Sequence, residues 1–159
     1  MKQDKFLIAI VAGVLLLVVV AIVVVLTRLP GNEDYRPDDT PEGVAHNYFL
    51  AIQRKEFNKA YGYLSDELEN KPSLEQFVQE AGNTGSSQEA SLKIGPVSQS
   101  DGVTQVEVTV TTYSSGGLLD SSRYSSDDIA LLRQDSAGQW KITRFPYPYW
   151  GWSWNEKPE

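Results

Sequence analysis

Cysteine is absent from all 159 residues, and that absence excludes disulfides, thiolate metal ligands and acylation of a lipoprotein-type cysteine. Histidine is nearly absent as well. With His46 as the single imidazole, zinc and other nitrogen- or sulfur-seeking metals have no ligand set, and neither a metal nor an organic cofactor is expected. Neither common Gly-rich phosphate loop nor a dinucleotide fingerprint occurs. A basic face is missing too, because the net charge is −7, so nucleic acid is not an expected partner. The pairs Asp38-Asp39 and Asp127-Asp128 lack the alternate-position oxygen ligands of a calcium loop and read as solvated charges.

What is present begins with a long apolar run. Phe6 to Leu26 holds no charged side chain, and as a helix it would span roughly 30 Å, the thickness of a bilayer's hydrocarbon core. Bulky residues at Val23 to Leu26 offer no small-x-small cleavage site, so the run reads as a retained anchor over 6–27, with a short cytoplasmic tail at 1–5. Lys2 and Lys5 precede it and Arg28 and Arg36 follow, a slight bias toward a cytoplasmic N-terminus and an extracytoplasmic body at the cell membrane. Ala9 and Gly13 form a small-xxx-small pair through which a homodimer could associate. Residues 28–40, with Pro30, Gly31, Pro37 and six charged side chains, read as an extended spacer able to hold the body about 35 Å from the bilayer.

The body is expected over 41–146. Thr40-Pro41 supplies an N-cap and a first-turn proline, and Val44, Ala45, Tyr48, Phe49 and Ile52 recur at helical spacing. A second short helix follows through Phe57, Ala60, Tyr61 and Leu64. A third opens on the capping box Ser73/Gln76 and runs to Gly82. The period then switches to two, Thr104, Val106, Val108, Val110 and Thr112 alternating with polar residues in a half-buried strand. A strand at Ala90–Val97 is interrupted by Gly95-Pro96, which predicts a bulge or an edge. Another at 128–134 turns through Asp135 to Gly138 into a closing strand at 139–145. Helices followed by an antiparallel sheet make an α+β domain.

These residues carry a resemblance. VAHNYFLAIQRKEFNKAYGYLS (44–65), SLEQF (73–77) and IALLRQDSAGQWKI (129–142) together resemble the nuclear-transport-factor-two-like superfamily of cystatin-like folds, above all membrane-anchored bacterial members of unknown function. The resemblance implies a cone of three helices packed on a curved antiparallel sheet, with Trp140 and Ile142 directed inward. Members such as ketosteroid isomerase and scytalone dehydratase place carboxylates, tyrosines or histidines inside the cone, and other members serve as scaffold domains of secretion machinery. Their catalytic pattern is not recognisable here: Glu107 belongs to the polar face of its strand, and helical counting turns His46 away from the apolar face toward solvent. No catalytic residue is therefore assigned. The expected function is an extracytoplasmic binding or scaffold module, the alternatives being a small-molecule isomerase or dehydratase and a secretion-type assembly subunit.

The chain closes on FPYPYWGWSWNEKPE (145–159), where Trp150, Trp152 and Trp154 fall at every second residue. In an extended chain they would project to one side, with Tyr149, Gly151 and Ser153 opposite. They are expected to fold back over the open end of the cone as an aromatic tail (147–159), ahead of an exposed platform for an envelope protein or a glycan and of a membrane-interface foot. Gly151-Trp152-Ser153-Trp154-Asn155 lacks the second glycine of a nucleophile elbow. The candidates for a pocket or ligand contact are Tyr48, Tyr61, Trp140, Trp150, Trp152 and Trp154.

Overall fold

A computed structural model describes residues 3–27, 33–83, 89–117 and 120–157. Part of the expected spacer (28–32) and of the loop after the third helix (84–88) lies outside the described residues. The chain divides into two units, residues 1–32 and 33–159. In the first, α1 (Gln3–Thr27) is one continuous helix. Its segment Leu7–Val24 is long and apolar enough to cross a membrane, and side chains such as Leu7, Val14, Leu17 and Val20 are exposed all along it.

The second unit is the α+β domain. Its helices are α2 (Pro41–Gln53), α3 (Phe57–Gly62) and α4 (Leu74–Asn83). Thr40 caps α2 by accepting the Gly43 amide at 3.1 Å, satisfying a donor that the first turn leaves open. The capping box at α4 is reciprocal: Gln76 Oε1 accepts the Ser73 amide at 2.9 Å and Ser73 Oγ accepts the Gln76 amide at 3.3 Å. The sheet is antiparallel in the order β1 (Glu89–Ser100), β2 (Val103–Gly117), β3 (Asp120–Gln134) and β4 (Trp140–Arg144). Register slips between Ile94 and Val97, where Gly95 lies so close to β2 that a Cβ there would be 3.1 Å from the Glu107 Cβ.

Alternation in β2 is as the sequence reads: Thr104, Val106, Val108 and Val110 are buried and Glu107 is exposed. β3 begins eight residues earlier than its apolar pattern does. Ser125 and Asp127 pair with Thr111 and Thr109 through the backbone ladder and through side-chain hydrogen bonds of 2.9 and 2.7 Å, so polar residues extend the strand without a hydrophobic signal. The Asp135 carboxylate holds the β3–β4 turn by accepting the amides of Ala137 and Gln139, and Gly138 takes the left-handed φ of +76°. β4 is bonded on its other side to the chain leaving α3, Ile142 exchanging main-chain hydrogen bonds with Tyr63 and Ser65. The core between helices and sheet is built on Tyr48, Ile52, Leu64, Phe77, Val106, Leu132 and Ile142, all fully buried.

Two expectations are corrected here. Residues 33–40 are a strap along α2 rather than an extended spacer. The Asn47 side chain acts as a surrogate peptide, accepting the Arg36 amide at 2.8 Å and donating to the Arg36 carbonyl at 2.7 Å and to Asp38 at 2.6 Å. Arg54 donates to the Glu33 carbonyl, and Tyr35 lies under Lys59, whose Nζ is 3.0 Å from the ring centre. The backbone carbonyl of Pro37 occupies the space a side chain at position 43 would need. His46 is consequently buried, 2% exposed, rather than solvent-facing: its Nε2 is 2.7 Å from Glu33 Oε2 and its Nδ1 is 3.3 Å from Asn47 Oδ1. Helical geometry places His46 on the outer face as counted, but the strap covers that face.

Candidate functional site

The aromatic tail does not run extended. Turns at Pro146–Tyr149 and Ser153–Glu156 coil it, and the Tyr147–Pro148 peptide bond is cis. Coiling separates Trp152 from Trp150 and Trp154, so the single projecting row of an extended chain does not form. Trp150 and Trp154 turn inward and meet edge to face at 4.8 Å between ring centres. Trp154 packs on Phe77 at 5.5 Å and Trp150 on Tyr48 at 6.4 Å, so the two indoles close the core. Trp152 points outward and is 86% exposed.

Both inward indoles are tied by their N–H groups. Trp150 Nε1 donates to Asn155 at 2.7 Å, and Asn155 in turn donates to the Thr143 carbonyl on β4. Trp154 Nε1 donates to Glu80 Oε2 at 3.0 Å, joining the tail to α4. Asn70 adds hydrogen bonds to the carbonyls of Ser153 and Trp154. A Cβ on Gly151 would overlap both the Trp154 indole and the Glu80 carboxylate, so glycine is required for this closure.

Between the end of α4 and the tail lies a groove of about 240 Å³. Glu80 and Asn83 contribute from α4, Tyr147, Pro148 and Trp152 from the tail, and the buried rings of Tyr149, Trp150 and Trp154 form its base. Tyr147 is 74% exposed, so two large aromatic side chains stand in water at one groove. Their positions are fixed by the buried residues that flank them in sequence, Pro146, Tyr149, Trp150 and Trp154.

Of the six sequence candidates, the structure brings Trp150, Trp152 and Trp154 to this groove. Tyr48 is buried at the centre, its hydroxyl donating to the Tyr149 carbonyl at 2.6 Å, and burial pushes its phenol well above the usual tyrosine range. Tyr61 is half-buried, packs on Phe77 and donates to the Pro72 carbonyl. Trp140, half-buried, donates to the Asp39 carbonyl of the strap, far in sequence from the tail. Burial raises Tyr149 to about 12, and raises Tyr63, which donates to Asp38. Tyr147, Glu80 and Asn83 were missed. Tyr147 had a signal, its place between two prolines in the aromatic tail, whereas nothing local in SLEQFVQEAGN marks Glu80 and Asn83.

No protein-family model and no curated protein matches the chain. Similar solved structures exist. A SEC-C motif containing protein from Rhodopseudomonas palustris is 16% identical with a TM-score of 0.51, over 69% of this chain and 79% of that one. Others include an LEH-like epoxide hydrolase from M. tuberculosis, 17% identical with a TM-score of 0.43 over 68% and 78%, and a protein from Streptomyces avermitilis described as a dehydratase of the NTF2-like family. The latter is 14% identical with a TM-score of 0.42, over 63% of this chain and 86% of that one. The four-stranded antiparallel sheet with its helices is consistent with the cone that the sequence resemblance implies. At such identities the likeness is one of fold, and fold alone does not carry activity.

Proposed function

We propose that this chain is a membrane-anchored binding module, held by α1 with its α+β domain outside the cytoplasm, and that the groove beside the aromatic tail is its recognition surface. The exposure of Tyr147 and Trp152 around a base of buried rings carries this reading. Large apolar side chains in water cost free energy that a folded chain ordinarily recovers by burial, and two of them at one concave site mark a surface that a partner covers. Buried flanks favour binding, since the backbone that carries both rings is already held in place. Membrane attachment rests on the length and composition of α1, and the orientation on Lys2 and Lys5 ahead of it.

An isomerase or dehydratase would need an inward acid or base poised in a cavity. Here the interior is occupied by Tyr48, Phe77, Phe145, Trp150 and Trp154, and among the described residues every buried side-chain nitrogen and oxygen has a hydrogen-bond partner. Polar groups so engaged serve the fold.

The test is site-specific photo-crosslinking in cells, with a benzophenone amino acid at position 152 of the full chain and a control at the exposed position 99. A defined adduct from 152, absent from 99 and lost on Tyr147→Ala, is the expected result. Equal or absent adducts from both positions would overturn the reading.

A further inference from the structure

We infer that the partner of this surface is lipid: Tyr147 and Trp152 seat in the headgroup layer of the bilayer that α1 enters. This rests on the binding-module reading and names the partner.

The length of the tether comes first. Because the strap from Glu33 onward is bonded along α2, only residues 28–32 separate it from the end of α1. The chain from Thr27 to Glu33 reaches at most about 20 Å however it is extended. With Leu7–Val24 in the hydrocarbon, the three further residues of α1 add about 4.5 Å of helix and bring Thr27 to headgroup depth. A domain the size of residues 33–159 has a radius of gyration of about 14 Å, so this tether is shorter than the domain is wide. The end of the domain at which the strap begins stays within reach of the membrane surface.

The recognition surface is at that same end. Glu33 accepts Arg54 at the end of α2, and the Tyr35 hydroxyl donates to Glu56, just before α3, at 2.9 Å. The tail meets α2 there too: the Tyr149 ring packs on Phe49 at 4.8 Å and its hydroxyl accepts from Gln53 at 3.4 Å. α4 ends beside the start of α3, where a Cβ on Gly82 would be 3.8 Å from the Phe57 ring, and the adjoining Ala81 lines the groove with Tyr147 and Trp152. Chain entry and exposed aromatics thus share one end of the domain.

The chemistry of the two side chains fits. Tryptophan and tyrosine suit the membrane–water interface because an apolar ring carries one polar group that stays hydrated. Both rings are neutral, so the net charge of −7, which opposes contact with an anionic surface through basic residues, does not oppose their insertion. Two shallow contacts suffice, since the tether makes the encounter intramolecular and supplies a high effective concentration. A protein partner would use exposed rings equally well, but it would not require them at the end where the chain comes from the membrane.

The experiment reconstitutes the full chain in phosphatidylcholine vesicles, with and without bromine on the acyl chains near the carbonyls, where it quenches indole fluorescence by contact. Part of the tryptophan emission should be quenched, and that part should vanish in Trp152→Ala and fall about twofold in Tyr147→Ala. Trp140, held to the Asp39 carbonyl beside the N-terminal end of α2, is the internal control. Benzophenone at position 152, irradiated in the same vesicles, should yield a lipid adduct that position 99 does not. Quenching that survives Trp152→Ala, or that Tyr147→Ala leaves unmoved, would overturn the lipid contact. A position-152 crosslink to protein in cells without quenching in vesicles would overturn it and leave the binding module standing. No quenching and no crosslink would remove both.

Discussion

The hydroxyl of Tyr48 donates to the carbonyl oxygen of Tyr149 at 2.6 Å, with 101 residues of chain between them. The bond joins the first helix of the domain to its aromatic tail inside the core, where water cannot replace either partner. Tyr48→Phe keeps the ring contacts with Phe145 and Trp150 and leaves the carbonyl unmatched, an expected loss of about 1–3 kcal/mol. Equilibrium denaturation, with an unchanged denaturant slope, measures it.

The two kinds of tryptophan separate by mutation. Trp154→Ala opens a void beside Phe77 and removes the indole's hydrogen bond to Glu80, so a loss of about 3–5 kcal/mol is expected. Trp152→Ala removes a side chain already in water and should fall within about 0.5 kcal/mol of the parent. Equal effects on the thermal midpoint would contradict the described tail.

Gly151→Ala places a methyl group where the Trp154 indole lies. The ring must shift off Phe77 or the tail must lift, with an expected cost of about 1–3 kcal/mol. The near-ultraviolet circular dichroism of the tryptophans should weaken in parallel.

The strap depends on His46. Replacing it with leucine leaves Glu33 without its 2.7 Å partner and removes the 3.3 Å contact to Asn47, so residues 33–39 should loosen before the core does. Hydrogen exchange at the Arg36 amide, which Asn47 now holds, is expected to quicken in His46→Leu by about tenfold while Phe77 and Ile142 stay protected.

Alkali should unfold the protein in a defined window. Burial raises Tyr149 to about 12 and raises Tyr48 and Tyr63, from an unfolded value of 10.0. Between these values the unfolded chain releases phenolic protons that the folded chain keeps, so stability is unaffected below about pH 10 and falls as pH rises toward 12. Tyr149→Phe keeps the ring on Phe49, 4.8 Å away, and should flatten part of that fall. A thermal midpoint series from pH 8 to 12 shows it.

Local periodicity made the helices, the β2 alternation and the bulge at Gly95 legible, since each is a pattern within a few residues of chain. β3 was half hidden because Ser121 to Asp127 pair through backbone rather than apolar side chains. The groove was legible only on its tail side. Glu80 and Asn83 enter it because α4 lies beside a tail some 70 residues later, and no spacing rule spans that distance.

Sequence alone determined the class of chain: an apolar segment of bilayer length, then an α+β domain without the ligands of common metals or the loops of nucleotides. It also singled out the aromatic tail. Tertiary structure decided which aromatics it hides, because coiling at Pro146–Tyr149 and Ser153–Glu156 replaces the two-residue period of an extended strand and turns Trp152 out while Trp150 and Trp154 turn in. It decided the fate of His46 likewise. A helix's own geometry states which way a side chain points, but only the chain folded against it determines whether water is there.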